Sequence, residues 1–233
     1  MRSAARGATQ DLPENLTIPL SRRGLGFVGL ASVATILIGS LLAAIPYRGY
    51  AGETYSPLNH FISELGEIAA SRFAWAYNLG IVVGGAGLGF FLLMVSRTMS
   101  GRFRVAFGLV SVIAGVAGIL CGVFPMDYLS THRLVSAAFF LTGWLVAGTF
   151  SMWLVARRPA SYPSWLAVGG AAVIAVPLAF IAAYATYHPA DPNAHILVRS
   201  DVWTVPLLEW ASLLSLLAWL ACLSLTMILD RDD

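Results

Sequence analysis

An all-α, polytopic membrane protein built as a six-transmembrane-helix bundle is the fold class this sequence predicts, and three observations predict it. The chain is 58% hydrophobic and only 11% charged, against about 25% charged in ordinary soluble domains. Six stretches, 24–46, 73–96, 105–126, 134–156, 159–187 and 210–229, contain no Asp, Glu, Lys or Arg. Each is close to the roughly 20 residues a helix needs to cross hydrocarbon. Lipid offers no partner to a backbone N–H or C=O, and the runs are too long for barrel strands, so helices are expected.

The third observation is where the arginines fall, since the chain has no Lys. With the N-terminus in the cytoplasm, that side receives Arg2, Arg6, Arg22, Arg23, Arg97, Arg102, Arg104, Arg157, Arg158 and Arg231. The opposite side receives Arg48, Arg72, Arg133 and Arg199. This bias places both termini in the cytoplasm. The net charge of +2 therefore reports topology and gives no reason to propose a nucleic-acid partner. A multi-pass protein of the cell membrane is expected, with membrane lipids as partners. A homo-oligomer or another membrane protein is a further candidate partner.

The elements follow in order. Residues 1–23 mix Arg, Ser, Asp, Pro and Asn without a sustained period and read as a cytoplasmic tail. The transmembrane domain spans 24–229, and 230–233 form a second cytoplasmic tail. The apolar run after Arg22-Arg23 is long for a signal peptide and starts late, so it reads as a retained first helix. In the outer loop 47–71, Phe61, Leu65 and Ile68 recur at helical spacing downstream of Pro57. A short helix over about 58–70, interfacial or continuous with helix two, is expected. His60 and Glu64 would share one of its faces.

Helix two carries Gly80/Gly84 and Gly85/Gly89, and helix three Gly108, Gly115, Gly118 and Gly122. A close small-residue seam between these two helices is expected. After helix three a short turn holds Asp127, and Ser130-Thr131-His132-Arg133 leads into helix four. Helix five contains Pro177, which should bend it. The polar loop from His188 to His195 follows, with Asp191 and two prolines. Helix six begins near Asp201 and carries Pro206 and Glu209. Cys121 and Cys222 lie near opposite ends of their helices and read as free, packed thiols. Several Trp residues near span ends read as interface anchors.

All four histidines and most acids fall on the outer side of this topology. His60, Glu64, Asp127 and His132 offer nitrogen and oxygen ligands for a divalent metal such as zinc. A water on that metal would attack an ester or amide at headgroup level. Glu64 could instead serve as a general base. Ser63, Glu64 and Glu209 are the candidate catalytic side chains. The competing structural reading has Asp127 capping helix four, His132 donating to a backbone carbonyl, and Glu64 pairing with Arg72 or Arg133. Glu209 lies inside a span, where an acid is costly, so it should face the bundle interior. Arg133 or the His60 and His132 imidazoles are its expected partners. Proton-coupled transport is one use for such a group, although no inverted repeat accompanies it.

Asn59-His60-Phe61-Ile62-Ser63-Glu64-Leu65-Gly66, the Gly-rich second helix, Gly122-Val123-Phe124-Pro125-Met126-Asp127 and Thr131-His132-Arg133 together resemble the DUF998 family of prokaryotic membrane proteins. The resemblance covers roughly residues 24–229. It implies a compact six-helix bundle and no established reaction. That family in turn resembles the Frag1/DRAM/Sfk1 group, whose eukaryotic members are tied to lipid homeostasis and membrane organisation. A more distant similarity is to membrane ceramidase-like hydrolases, in which a Ser, an Asp and three His surround zinc. Ser63, Asp127 and His132 would take such places, but the late His-x-x-x-His pair of those enzymes is missing.

The functional expectation is an outward-facing polar site that binds lipid or organises the membrane without catalysis. The alternatives are a metal-dependent membrane hydrolase acting on a lipid or lipid-linked ester or amide, and a transporter using Glu209.

Overall fold

A computed structural model describes residues 20–186 and 199–230. The predicted tail before residue 20, the loop bearing His188, Asp191 and His195, and residues 231–233 lie outside the described residues. Among the described residues there are six long helices: α1 Arg22–Ala44, α2 Ala74–Ser96, α3 Gly101–Val123, α4 Leu129–Arg157, α5 Trp165–Thr186 and α6 Thr204–Ile228. All six are long and apolar enough to span a membrane. α1 starts after Ser21, whose hydroxyl accepts the Gly24 amide and caps one orphan donor of the first turn. α4 stops where Arg158 turns left-handed (φ 43°).

Each helix packs on the next, and α6 returns to pack on α1. The six therefore close into a ring. Ile36, Gly85, Gly115, Gly143 and Leu216, from every helix but α5, face an apolar cavity of about 40 Å³ at its centre. The glycine seam is divided. A Cβ on Gly85 or Gly89 would press on the α3 backbone at Gly118 or Gly115, as expected, whereas Gly80 and Gly84 meet Gly39, Thr35 and Ile36 of α1. Pairs offset by five residues are rotated about 140° around a helix, so they cannot serve the same neighbour. α2 is thus clasped by both α1 and α3.

The two ends of the ring differ. At the end where α1 begins and α6 finishes, Arg22 Nε lies 2.9 Å from an Asp230 carboxylate oxygen, and its guanidinium stacks 4.3 Å from the centre of the Tyr162 ring. Phe150, Trp153, Tyr162 and Trp219 fill that end with edge-to-face rings.

The other end holds the loop between α1 and α2. It does not form the helix predicted over 58–70. Its only helical piece is a 3-10 turn, Ile62–Gly66, and His60 stands before it in non-helical backbone. His60 and Glu64 therefore do not share a helical face. The cause is tertiary: amides that a continuous helix would pair internally donate instead to carboxylates on other elements.

Candidate functional site

The 3-10 turn is seated in the mouth of the ring, touching α1, α2, α6 and the α3–α4 turn. Every residue of Ile62-Ser63-Glu64-Leu65-Gly66 is buried. Ile62 N donates to Glu209 Oε2 at 2.7 Å, and Ser63 Oγ donates to Glu209 Oε1 at 3.3 Å. Glu209 is only 6% exposed, so two donors meet a carboxylate that water does not reach. Ser63 Oγ also lies 3.1 Å from Met126 Sδ. Leu65 is fully buried. Gly66 O accepts from Asn78 Nδ2 at 2.9 Å, and a Cβ on Gly66 would overlap Asn78 and the Tyr77 ring.

Glu64 is the second anchor. Its Oε1 accepts from Phe61 N at 2.8 Å and Arg199 Nη1 at 3.0 Å. Its Oε2 accepts from Arg199 Nη2 at 2.8 Å and the Tyr47 hydroxyl at 3.0 Å. The Arg199 and Glu64 side chains are 8% and 5% exposed, making this a buried, bidentate pair. Burial and then the Glu64 charge push the Tyr47 phenol up. Burial alone would lower Arg199, but its bonds and attraction to Glu64 prevail and hold it up, so it remains a cation. Arg199 replaces the expected partners Arg72 and Arg133.

Further ties seat the rest of the loop. Asp127 Oδ2 accepts from Ile68 N at 2.9 Å, across from the α3–α4 turn. Trp203 N donates to Leu58 O at 2.8 Å, Asn59 Nδ2 to Ser200 O at 3.1 Å, and Arg199 Nη1 to Asn59 O at 3.1 Å.

The four candidate metal ligands have separate partners. His60 Nδ1 lies 2.7 Å from Asn59 Oδ1 and 3.2 Å from Ser56 O, and the Ser56 amide points to it at 3.3 Å, with the rings of Tyr47 and Tyr55 packed beside the imidazole. His132 Nδ1 faces Phe124 O at 2.7 Å, which leaves Nε2 to accept from Ser136 Oγ at 3.1 Å. Glu64 serves Arg199, and Asp127 serves Ile68 N. Among the described residues, no three His, Cys, Asp or Glu side chains converge to hold a metal ion. The expected grouping rested on a helical register that the loop does not adopt.

Of the candidate catalytic residues, Ser63 and Glu209 are brought together and Glu64 is turned to Arg199. Ser63, Glu209, His132, Ser136 and Cys121 border one cavity of about 40 Å³ under the loop. That is room for a few waters. Glu209 faces the interior as expected, but its partners are the loop amide and hydroxyl, not Arg133. Both cysteines are free thiols.

One group of polar atoms is left over. Among the described residues, Glu53 Oε1, His60 Nε2 and Arg199 Nε are buried without a hydrogen-bond partner. Glu53 Oε1 stands 3.6 Å from both of the others. Burial lowers the His60 pKa, so the imidazole is neutral at pH 7.

Sequence reasoning did not single out Arg199, Tyr47, Asn78, Ser136 or Glu53. Arg199 carried a signal, being a charge just ahead of the helix that bears Glu209.

No curated protein and no solved structure matches the chain. A family model described as "Protein of unknown function (DUF998)" matches residues 36–226. That match takes in the seated loop, both carboxylate anchors and Arg199, and the chain belongs to the DUF998 family.

Proposed function

We propose that this is a lipid-binding, membrane-organising protein without catalytic activity, whose loop-bearing mouth meets the headgroup layer. The observation that carries the reading is that Glu64, Glu209 and Asp127 all accept hydrogen bonds from the loop or its anchors. A carboxylate held by a buried guanidinium and an amide is poorly placed to take up a proton or ligate a metal. The cavity beneath the loop, at about 40 Å³, has no room for an acyl chain or a sugar. In this reading the termini face the cytoplasm of a cell membrane and the plugged mouth faces away from it, which follows from the arginine bias. The ring of helices offers lipid a continuous apolar surface, including exposed Ile38, Leu41, Ile45, Leu79, Leu109 and Val168.

The test uses purified full-length protein in nanodiscs. Native mass spectrometry should find lipid retained after delipidation, and lipid esters and amides should not be turned over. Turnover that disappears in both Ser63→Ala and Glu209→Gln would contradict the non-catalytic reading. Complete absence of retained lipid would contradict the binding reading.

One observation favours a hydrolase as the second reading: Ser136 Oγ donates to His132 Nε2, while His132 Nδ1 is oriented by a backbone carbonyl. Turnover abolished by Ser136→Ala would support it over the first.

A further inference from the structure

At the end of the ring opposite the loop, two turns gather exposed arginines without acids. The turn from α2 to α3 carries Arg97, Arg102 and Arg104, and α4 finishes in Arg157 and Arg158; all five are exposed. The two turns meet, since Thr98 Oγ1 lies 3.5 Å from the Tyr162 hydroxyl. Farther into the bundle the Phe107 ring of α3 meets the Phe150 ring of α4, with centres 6.1 Å apart. Arg104 stands one turn before Phe107 and Arg157 two turns after Phe150, each on the same side of its helix as that ring. These two arginines therefore flank the α3–α4 junction. Among the described residues Asp230 is the one acid at this end, and Arg22 engages it. None of the five arginines makes an ion pair among the described residues.

Helix stability accounts for some of these charges and not for others. Arg157, in the last turn of α4, complements the carbonyl end of that helix. Arg102 and Arg104 stand at the start of α3, where the amide end disfavours a cation. No acid lies in that turn, and the Ser100 side chain does not cap it. Arg158 holds left-handed backbone at φ 43°, a position that glycine fills with less strain. An orientation bias alone would be met by arginines anywhere in either turn. The local cost at these positions is offset when an anion lies outside the protein.

We propose that the α2–α3 turn and the end of α4 form a binding surface for anionic phospholipid, its headgroup phosphate held by Arg102, Arg104 and Arg157 beside the α3–α4 junction. A guanidinium is a planar fork of N–H donors that pairs with two phosphate oxygens at once. The acyl chains have a surface to lie on: Val105 and Leu109 of α3 and Met152 and Val155 of α4, next to the arginines on the side of the bundle centre, are 60–63% exposed. A zwitterionic lipid carries its phosphate beside a quaternary ammonium, which the arginines repel. Free phosphate has no chains for the apolar faces. This inference goes beyond the proposed function, because it concerns the end of the ring away from the mouth and names the lipid class bound there.

The experiment presents full-length protein with equimolar phosphatidylglycerol and phosphatidylcholine of matched acyl chains in detergent and counts retained lipid by native mass spectrometry. Wild type should retain phosphatidylglycerol over phosphatidylcholine. Arg102→Gln with Arg104→Gln should cut that preference by roughly tenfold or more, since each arginine beside an anionic headgroup contributes about a fivefold factor. Arg102→Lys with Arg104→Lys keeps the charges and should keep most of the preference, which separates loss of charge from loss of structure. Arg72→Gln with Arg133→Gln, at exposed arginines near the mouth, should leave it unchanged. Inorganic phosphate at the lipid concentration should not displace phosphatidylglycerol; displacement would assign the site to free phosphate and overturn the lipid assignment. Equal retention of the two lipids, a Gln pair that keeps the full preference, or a Lys pair that loses as much as the Gln pair, overturns the anionic surface and leaves lipid binding standing. Retention of neither lipid overturns both.

Discussion

Glu64 decides more at the residue scale than any other side chain, because four hydrogen bonds converge on it. Removing one partner of a buried ion pair leaves the other charge uncompensated. Arg199→Met should therefore destabilise the protein by about 3–5 kcal/mol, read as a lower midpoint in thermal unfolding in detergent. The double variant Arg199→Met with Glu64→Leu should recover part of that loss. A double variant as unstable as the two single losses summed would show that the residues act independently. Glu209 allows a finer distinction. Glu209→Gln keeps a carbonyl for the Ile62 amide, whereas Glu209→Leu strands that donor at a cost of about 1–3 kcal/mol. The Leu variant should therefore be the less stable of the two.

His60 gives a pH dependence whose sign follows from burial. Its folded pKa is lowered from 6.5, so below pH 6.5 the unfolded chain binds the proton more readily than the folded one. The contribution of neutral His60 is present above 6.5 and is lost as pH falls toward the lowered value. Glu67 acts in the opposite sense: burial raises its pKa from 4.5, so acid favours its folded form. Comparing wild type with His60→Gln between pH 7 and 5 isolates the first effect. The variant's stability should fall less steeply over that interval, and an identical slope would contradict the assignment.

At the scale of elements, the loop and the glycine seams show what the sequence could and could not convey. The six spans were legible because hydrophobic run length is a local property. The 3-10 turn was not, because Phe61, Leu65 and Ile68 recur at a spacing that a helix would also use. What prevents the helix is acceptors remote in sequence: Glu209 for Ile62 N and Asp127 for Ile68 N. Those long-range partners are invisible to a periodicity. The same limit explains the metal grouping, which drew His60 and Glu64 together by helical spacing and Asp127 and His132 by proximity to one turn. Glu209 was legible as an interior acid, since a charge in a span needs a partner, but the identity of that partner was not.

Two substitutions test these elements. Gly66→Ala forces the loop away from Asn78 and Tyr77, and should destabilise by about 1–3 kcal/mol, as overpacking does. In the seam, Gly85→Leu should separate α2 from α3, while Gly84→Leu should separate α2 from α1. Cysteine pairs placed across each interface read the difference. Gly85→Leu should reduce cross-linking of α2 to α3 and spare that of α2 to α1. Equal losses at both interfaces would contradict the division of the seam.

On the scale of the whole molecule, a ring of six helices has an aromatic seal at the end where α1 begins and α6 finishes and a polar plug at the other. The plug is the first loop, and its Ile-Ser-Glu-Leu-Gly segment meets a structural demand at each position: an amide and a hydroxyl for Glu209, a carboxylate for Arg199, an apolar side chain for the core, and a bare α-carbon beside Asn78. The chemistry-bearing residues of the mouth are thus engaged in closing it.

The most direct test of this closure is amide hydrogen exchange on residues 58–70 of the full-length protein in nanodiscs. The seated loop should be protected in wild type, and Glu209→Leu should speed its exchange by at least roughly tenfold while leaving α2 and α3 protected, as expected for a local opening. A loop that exchanges freely in wild type, or whose protection is unchanged by Glu209→Leu, would contradict the plug.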